Sequence, residues 1–178
     1  MKTPPPRWSW LLLSGFVLAL DLWSKWWVEA TIPHFGRREI IPGFLNFTHV
    51  RNPGVAFGFL ADTASSTGPW LVGLLGLVAL GFVAHLFVRT DLNDRWMLAA
   101  LAMIAGGAVG NLIDRARAGA VTDFIDAYVG SYHWHTFNVA DSAISVGLVI
   151  LLIDGFSHRH RHAAPERSAP EGPAPTAP

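Results

Sequence analysis

Runs of about 20 mostly apolar residues constrain a chain more than any motif, because a helix of that length crosses the hydrocarbon core of a bilayer. Four such blocks follow one another, at about 8–28, 68–88, 96–115 and 137–156. Their apolar residues run on continuously, without the 2.0 or 3.6 period of the half-buried elements of a soluble domain. Charge is correspondingly scarce: 15% of the 178 residues are Asp, Glu, Lys or Arg, against about 25% in a soluble domain. The formal net charge is zero, which argues against nucleic-acid binding, since that needs a basic excess. Trp8, Trp10, Trp26, Trp27, Trp70, Trp96 and Trp134 stand near block ends, where amphipathic rings favour the membrane–water interface. The sequence therefore predicts an all-α integral membrane protein of four transmembrane helices. A membrane domain spans 1–156. Residues 157–178 are His/Arg-rich and then Pro/Ala-rich, and are expected to form a disordered cytoplasmic tail.

Between the first two spans, residues 30–66 form an expected extracytoplasmic segment. Its stretch 44–60 mixes β-branched and aromatic residues with Asn-Pro-Gly and reads as short strands and a turn. Lys2 and Arg7 before the first block imitate a signal peptide, but Asp21 and three Trp follow in place of a cleavage pattern. The first block is thus expected to remain as a span. Lys2, Arg7, Arg89, Arg95, Arg159, Arg161 and Arg167 fall on the side of both termini. Lys25, Arg37, Arg38, Arg51, Arg115 and Arg117 fall on the other. This narrow excess favours cytoplasmic termini.

Four alternating spans bring the end of the first, the end of the third and the start of the fourth to one side. Those ends carry the polar residues. Asp21 and Lys25 are four apart and share a helix face; Asn111, Asp114 and Arg115 share another; Asn138, Asp141 and Ser142 repeat that spacing on the fourth span. Asp123 and Asp126 lie in the connection between the last two spans, which reads as a loop. Structural readings stand beside functional ones. Asp21 and Lys25 could be an ion pair ending a span, Asp114 and Arg115 a cap and a snorkelling cation, Asp141 a carboxylate favoured by a helix dipole. Gly106 and Gly110 have the spacing of a helix-packing motif.

There is no Cys, no G-x-S-x-G elbow and no H-E-x-x-H. The eight His lack a metal-ligand pattern, so neither a metal nor a cofactor is expected. What remains is carboxylates at a low-dielectric boundary. Two close together do not both ionise readily, so one keeps a proton. The ionised partner can take a proton from water while the protonated one hydrogen-bonds a carbonyl and later protonates a leaving amine. Two other functions suit a chain of this kind: a small proton-coupled membrane transporter and a non-catalytic accessory protein. A proton relay needs carboxylates at several depths, whereas these gather at one boundary.

Five blocks carry a resemblance. They are Asp21-Leu-Trp-Ser-Lys25, Arg51-Asn-Pro-Gly-Val-Ala-Phe-Gly58, Gly106-Gly-Ala-Val-Gly-Asn-Leu-Ile-Asp-Arg115, Gly119-Ala-Val-Thr-Asp-Phe-Ile-Asp126 and Phe137-Asn-Val-Ala-Asp-Ser-Ala-Ile-Ser-Val-Gly147. In this order the chain resembles the lipoprotein signal peptidase (signal peptidase II) family of bacterial inner-membrane aspartyl endopeptidases. The resemblance implies a catalytic dyad of Asp123 and Asp141, which topology alone does not select over Asp114. It implies that Asn52, Arg115, Asn111 and Asn138 line the substrate site, with Asn52 and Arg115 holding substrate main-chain carbonyls. Asp114, Asp21 and Lys25 become supporting groups. It further implies a diacylglyceryl-prolipoprotein substrate cut N-terminal to its lipidated Cys, and an active site near the extracytoplasmic face of the inner membrane. A monomer in contact with membrane lipid is expected, with segment 30–66 clamping the lipidated end. Val55 departs from the Ala usual in the family.

Overall fold

The computed structural model describes residues 5–54 and 68–162. Residues 55–58 of the second motif, with Val55, the rest of the 30–66 segment beyond 54, and 163–178 of the tail lie outside the described residues. After a 3-10 turn over Arg7–Ser9 come four long helices: α1 (Trp10–Thr31), α2 (Gly68–Arg89), α3 (Arg95–Ala118) and α4 (Val139–His162). All four are long and apolar enough to cross a membrane. Each satisfies its own interior backbone groups, which lipid cannot do. The boundaries expected from sequence fall within a few residues of these. The exception is the end of α4, which runs past 156 to His162, so 157–162 are helical rather than part of a disordered tail. An established helix extends at low cost, since nucleation is the expensive step.

The bundle is polar inside and apolar outside. Phe16, Leu74, Leu75, Phe82, Leu148 and Ile153 are exposed, while Asp21, Lys25, Asn111 and Asn138 are buried. Water would not tolerate so much exposed apolar surface; lipid prefers it. Helix α3 packs against each of the other three, and α2 packs chiefly against α3, with Arg7 of the 3-10 turn donating to its Phe87 carbonyl. Small residues make the close approaches possible. A Cβ on Gly106 would sit 2.6 Å from the Ser14 carbonyl oxygen of α1, and one on Gly107 2.5 Å from that of Ala140 on α4. Side chains there would push the helices apart. Asp94 caps the start of α3, its side chain accepting from the Met97 N–H. Gly119 ends α3 with φ 67° and donates its N–H to the Arg115 carbonyl, a left-handed stop that favours glycine.

The all-α expectation is too narrow. Four antiparallel strands form one sheet in the order β1 (Arg37–Ile41), β2 (Leu45–Asn52), β3 (Val121–Val129), β4 (Tyr132–His133). Only β1 and β2 come from the connection between α1 and α2. The other two come from the connection between α3 and α4, so Asp123 and Asp126 stand on a strand and not in a loop. The register pairs Val50 with Asp123, Arg51 with Thr122 and Asn52 with Val121. The sheet rests on the end of α1: Val28, Ile32 and Phe124 form a buried cluster, with Trp27, Phe47, Ile125 and Val139 packed around it. Beyond β4, Phe137 bonds to the β3 backbone. Its carbonyl accepts from the N–H groups of Phe124 and Ile125 at 3.0 and 2.8 Å, and its N–H reaches the Ile125 carbonyl. The segment that leads into α4 is thereby tied to the strand carrying Asp123.

Candidate active site

Asp123 leaves β3 next to the mouth of α4, whose first turn carries Asp141. Asn138 stands between them. Its Nδ2 donates to Asp123 Oδ1 at 2.8 Å. Its Oδ1 accepts from the Asp141 N–H at 2.9 Å, and Asp141 Oδ2 accepts in return from the Asn138 N–H at 3.3 Å. The last two bonds form a reciprocal capping box, with Asn at the N-cap and Asp three residues on. One buried amide thus caps a helix and spaces two carboxylates. The remaining carboxylate oxygens are held by other amides. Asn52 Nδ2 donates to Asp123 Oδ2 at 3.0 Å, while the Asn52 Oδ1 accepts from the Gly54 N–H. Asn111 Nδ2 donates to Asp141 Oδ1 at 2.8 Å.

The structure therefore brings Asp123, Asp141, Asn52, Asn111 and Asn138 together. Asn138 is fully buried and both ends of its amide are engaged, so it faces the carboxylates and not a substrate. Asn111 is likewise spent on Asp141 and on Lys25, whose Nζ donates to its Oδ1 at 3.0 Å. Both amides, expected to line a substrate site, are bonded here to Asp123, Asp141 and Lys25. Arg115 lies within electrostatic reach of Asp141, Asp123 and Asp114. Its Nη1 donates to the Asn111 carbonyl at 3.2 Å, and its Nε is buried without a hydrogen-bond partner. Asp21 and Asp114 both pair with Lys25. Asp126 is set apart. An odd spacing along a strand turns it to the face opposite Asp123, where Asn46, His133 and Arg37 surround it. Burial alone would raise the Asp126 carboxyl, but hydrogen bonds from His133 and Asn46 and the Arg37 charge hold it below the usual carboxylate range.

Thr122 and Glu29 were not singled out in the sequence: Thr122 donates its hydroxyl to Glu29 Oε1 at 2.6 Å, tying β3 to the end of α1. The spacing of Asn138 and Asp141, read from sequence as a shared helix face, is also that of a capping box.

Burial pushes the Asp123 carboxyl up, the Asn52 bond pulls it back, and the neighbouring Asp141 charge raises it again, to about 6. Asp123 therefore keeps its proton into weak acid, beside the second carboxyl group that Asn138 holds. A singly protonated dyad predicts that kcat/KM falls as pH rises through about 6, approaching tenfold per unit above it, as Asp123 ionises. A substrate that excludes water disfavours the charged form further, so the limb in kcat lies at higher pH. An ascending limb at that pH would instead give Asp123 the role of base. Stability has the same sign. The raised carboxyl favours the fold fully below the unfolded value of 3.8, and this contribution is lost as pH rises through about 6.

Four helices long and apolar enough to cross a membrane, with a buried Asp123 and a half-buried Asp141 joined through one amide, fit a class: a multi-pass membrane enzyme of the aspartic peptidase type. A family model for signal peptidase (SPase) II matches residues 13–157. The chain belongs to the signal peptidase II family, whose members remove signal peptides from lipoproteins. It is similar to the lipoprotein signal peptidase of Solibacter usitatus (strain Ellin6076), 44% identical over 151 residues that cover 85% of this chain and 92% of the relative. That of Syntrophus aciditrophicus (strain SB) is 42% identical over 147 residues, covering 81% and 89%. Two solved bacterial membrane enzymes share the fold. One matches with a TM-score of 0.76 and 29% identity over 94% of this chain and 99% of its own. The other matches with 0.72 and 31% over 86% and 96%.

Proposed function

We propose that the chain cuts diacylglyceryl-modified prolipoproteins N-terminal to the lipidated Cys, using Asp123 and Asp141 as a shared acid–base pair. The observation that carries this reading is the single Asn138 amide bound to Asp123 and to the backbone of Asp141. It ties a buried carboxyl group and a half-buried one to the same amide. In the reaction, ionised Asp141 takes a proton from water, and the oxygen of that water bonds to the scissile carbonyl carbon. Protonated Asp123 donates to the carbonyl oxygen. As the tetrahedral carbon collapses, the C–N bond breaks and the amine leaves with a proton from the pair. No covalent intermediate forms.

Arg115 and Asn52 present the substrate main chain. The unpartnered Arg115 Nε is a buried donor that costs free energy until a carbonyl meets it. The Asn52 amide nitrogen has a second N–H beyond the one given to Asp123. The enzyme acts as a monomer in the bacterial inner membrane, with both termini cytoplasmic and the site at the extracytoplasmic boundary. There a signal peptide helix ends and its cleavage site meets water. The 30–66 segment holds the lipidated end. The test is purified enzyme in detergent with matched substrates that carry or lack diacylglyceryl on the Cys. The lipidated form is expected to be cut at least about a hundredfold faster, with the new N-terminus at the modified Cys. Equal rates would remove lipid recognition from the proposal, and a cut elsewhere would remove the site assignment.

A further inference from the structure

Lys25 lies outside the reaction just described, yet it is 2% exposed in an apolar bundle. A buried ammonium is costly unless fully paired, and this one has three partners on two helices, two in ion pairs and one in a hydrogen bond. Its Nζ is 2.7 Å from Asp21 Oδ2, 2.9 Å from Asp114 Oδ2 and 3.0 Å from Asn111 Oδ1. Each acceptor leads to the dyad by one further hydrogen bond. Asp21 Oδ1 accepts from the N–H of Ala140, the residue before Asp141, at 2.9 Å. Asp114 Oδ2 accepts from the N–H of Thr122, the residue before Asp123, at 3.2 Å. Asn111, its oxygen turned to Lys25, presents Nδ2 to Asp141 Oδ1 at 2.8 Å. We infer that Lys25 is a positioning residue: one buried ammonium that fixes the backbone entering both aspartates and the amide that holds one of them.

The argument rests on the dyad reading and adds a cause for its geometry. An amide can be turned either way beside a carboxyl group; the ammonium, which only donates, bonds its oxygen end, so the N–H end faces Asp141. Gly110 keeps the arrangement tight, because a Cβ there would collide with Asp21 Oδ2. The Lys25 charge also reaches Asp123 and favours its ionised form. The other charged groups around Asp123 are Asp141 and Arg115, with Asp114 and Asp21 behind Lys25.

The test uses full-length protein in detergent and compares Lys25→Met with a Lys25→Met/Asp21→Asn double variant. The double variant removes the ion pair as a unit and leaves an oxygen for the Ala140 N–H. Molecules are counted as folded by thermal melting and monodispersity. Per folded molecule, kcat is expected to fall about a hundredfold with KM within about threefold, a loss confined to the transition state. The descending limb of kcat/KM is expected to move up by at least about half a pH unit, since a cation near Asp123 is gone. Wild-type kcat and an unmoved limb in either folded variant would overturn the inference. So would failure of both variants to fold, which would assign Lys25 to folding alone. Asp123→Asn and Asp141→Asn are run beside them. If those remain active the dyad reading itself falls, whereas inactive aspartate variants beside a fully active Lys25→Met sink only the positioning role.

Discussion

Asn in place of Asp123 or Asp141 is expected to lower kcat on lipidated substrate by on the order of 10³–10⁴-fold, the scale of a lost acid–base group. The shape of each side chain is kept, so folding is the control. At Asp141 the Asn oxygen can still accept one of the two bonds made by Asn111 and Asn138. What is lost is a negative charge at a helix N-terminus, about 0.3–1 kcal/mol. At Asp123 both oxygens accept from amide N–H groups, of Asn52 and Asn138. One of those donors would face an NH2, at about 1–3 kcal/mol, offset in part because no buried charge remains to be desolvated. Both variants should therefore stay folded by thermal melting while gel assays show no product. Activity within tenfold of wild type in either variant would end the two-aspartate mechanism.

Asn138→Ala has the second largest effect expected, and it acts on stability and rate together. The substitution removes the N-cap acceptor, worth about 1 kcal/mol. It leaves Asp123 Oδ1 without its 2.8 Å donor, at about 1–3 kcal/mol. These terms share one network and need not add, so a loss of about 2–4 kcal/mol is expected. The rate should fall about a hundredfold per folded molecule, because the carboxylates lose their spacer. Asn138→Ser separates the two roles. A serine hydroxyl caps the helix but is too short to reach Asp123, so stability should largely return while kcat does not. Full recovery of both would show that the amide serves the helix alone.

The helices were legible because lipid selects on bulk hydropathy over about 20 residues, a signal that survives local detail. The sheet was less legible, and β3 shows why. Val121, Thr122, Asp123, Phe124 and Asp126 are all buried, so both faces of the strand are covered and the apolar–polar alternation that reveals a half-buried strand is missing. Two aspartates in such a run look like loop residues. The same gap kept Asp114 level with Asp123 in the reading of spacing alone. Span topology delivers four carboxylates to one boundary, but only the pairing of β3 with β2 and the tie to Phe137 decides which of them faces Asp141. Asp114 is turned instead to Lys25 and the Thr122 N–H. Asn138 and Asn111 were expected to line a substrate site, yet they bond Asp123, Asp141 and Lys25, a distinction that spacing does not encode.

The sheet has a consequence for how the enzyme comes into being. Asn52 is on β2, before the second span; its partner Asp123 is on β3, after the third; Asp141 is on the fourth. The Asn52–Asp123 contact spans 71 positions of the chain, and contacts of that separation form late. A ribosome feeding this chain into the membrane delivers Asn52 and Lys25 early and Asp141 last. No intermediate lacking α4 holds a complete pair of aspartates. On the two-aspartate reading, the nascent enzyme is thus inactive until the last helix has entered the bilayer and closed the site.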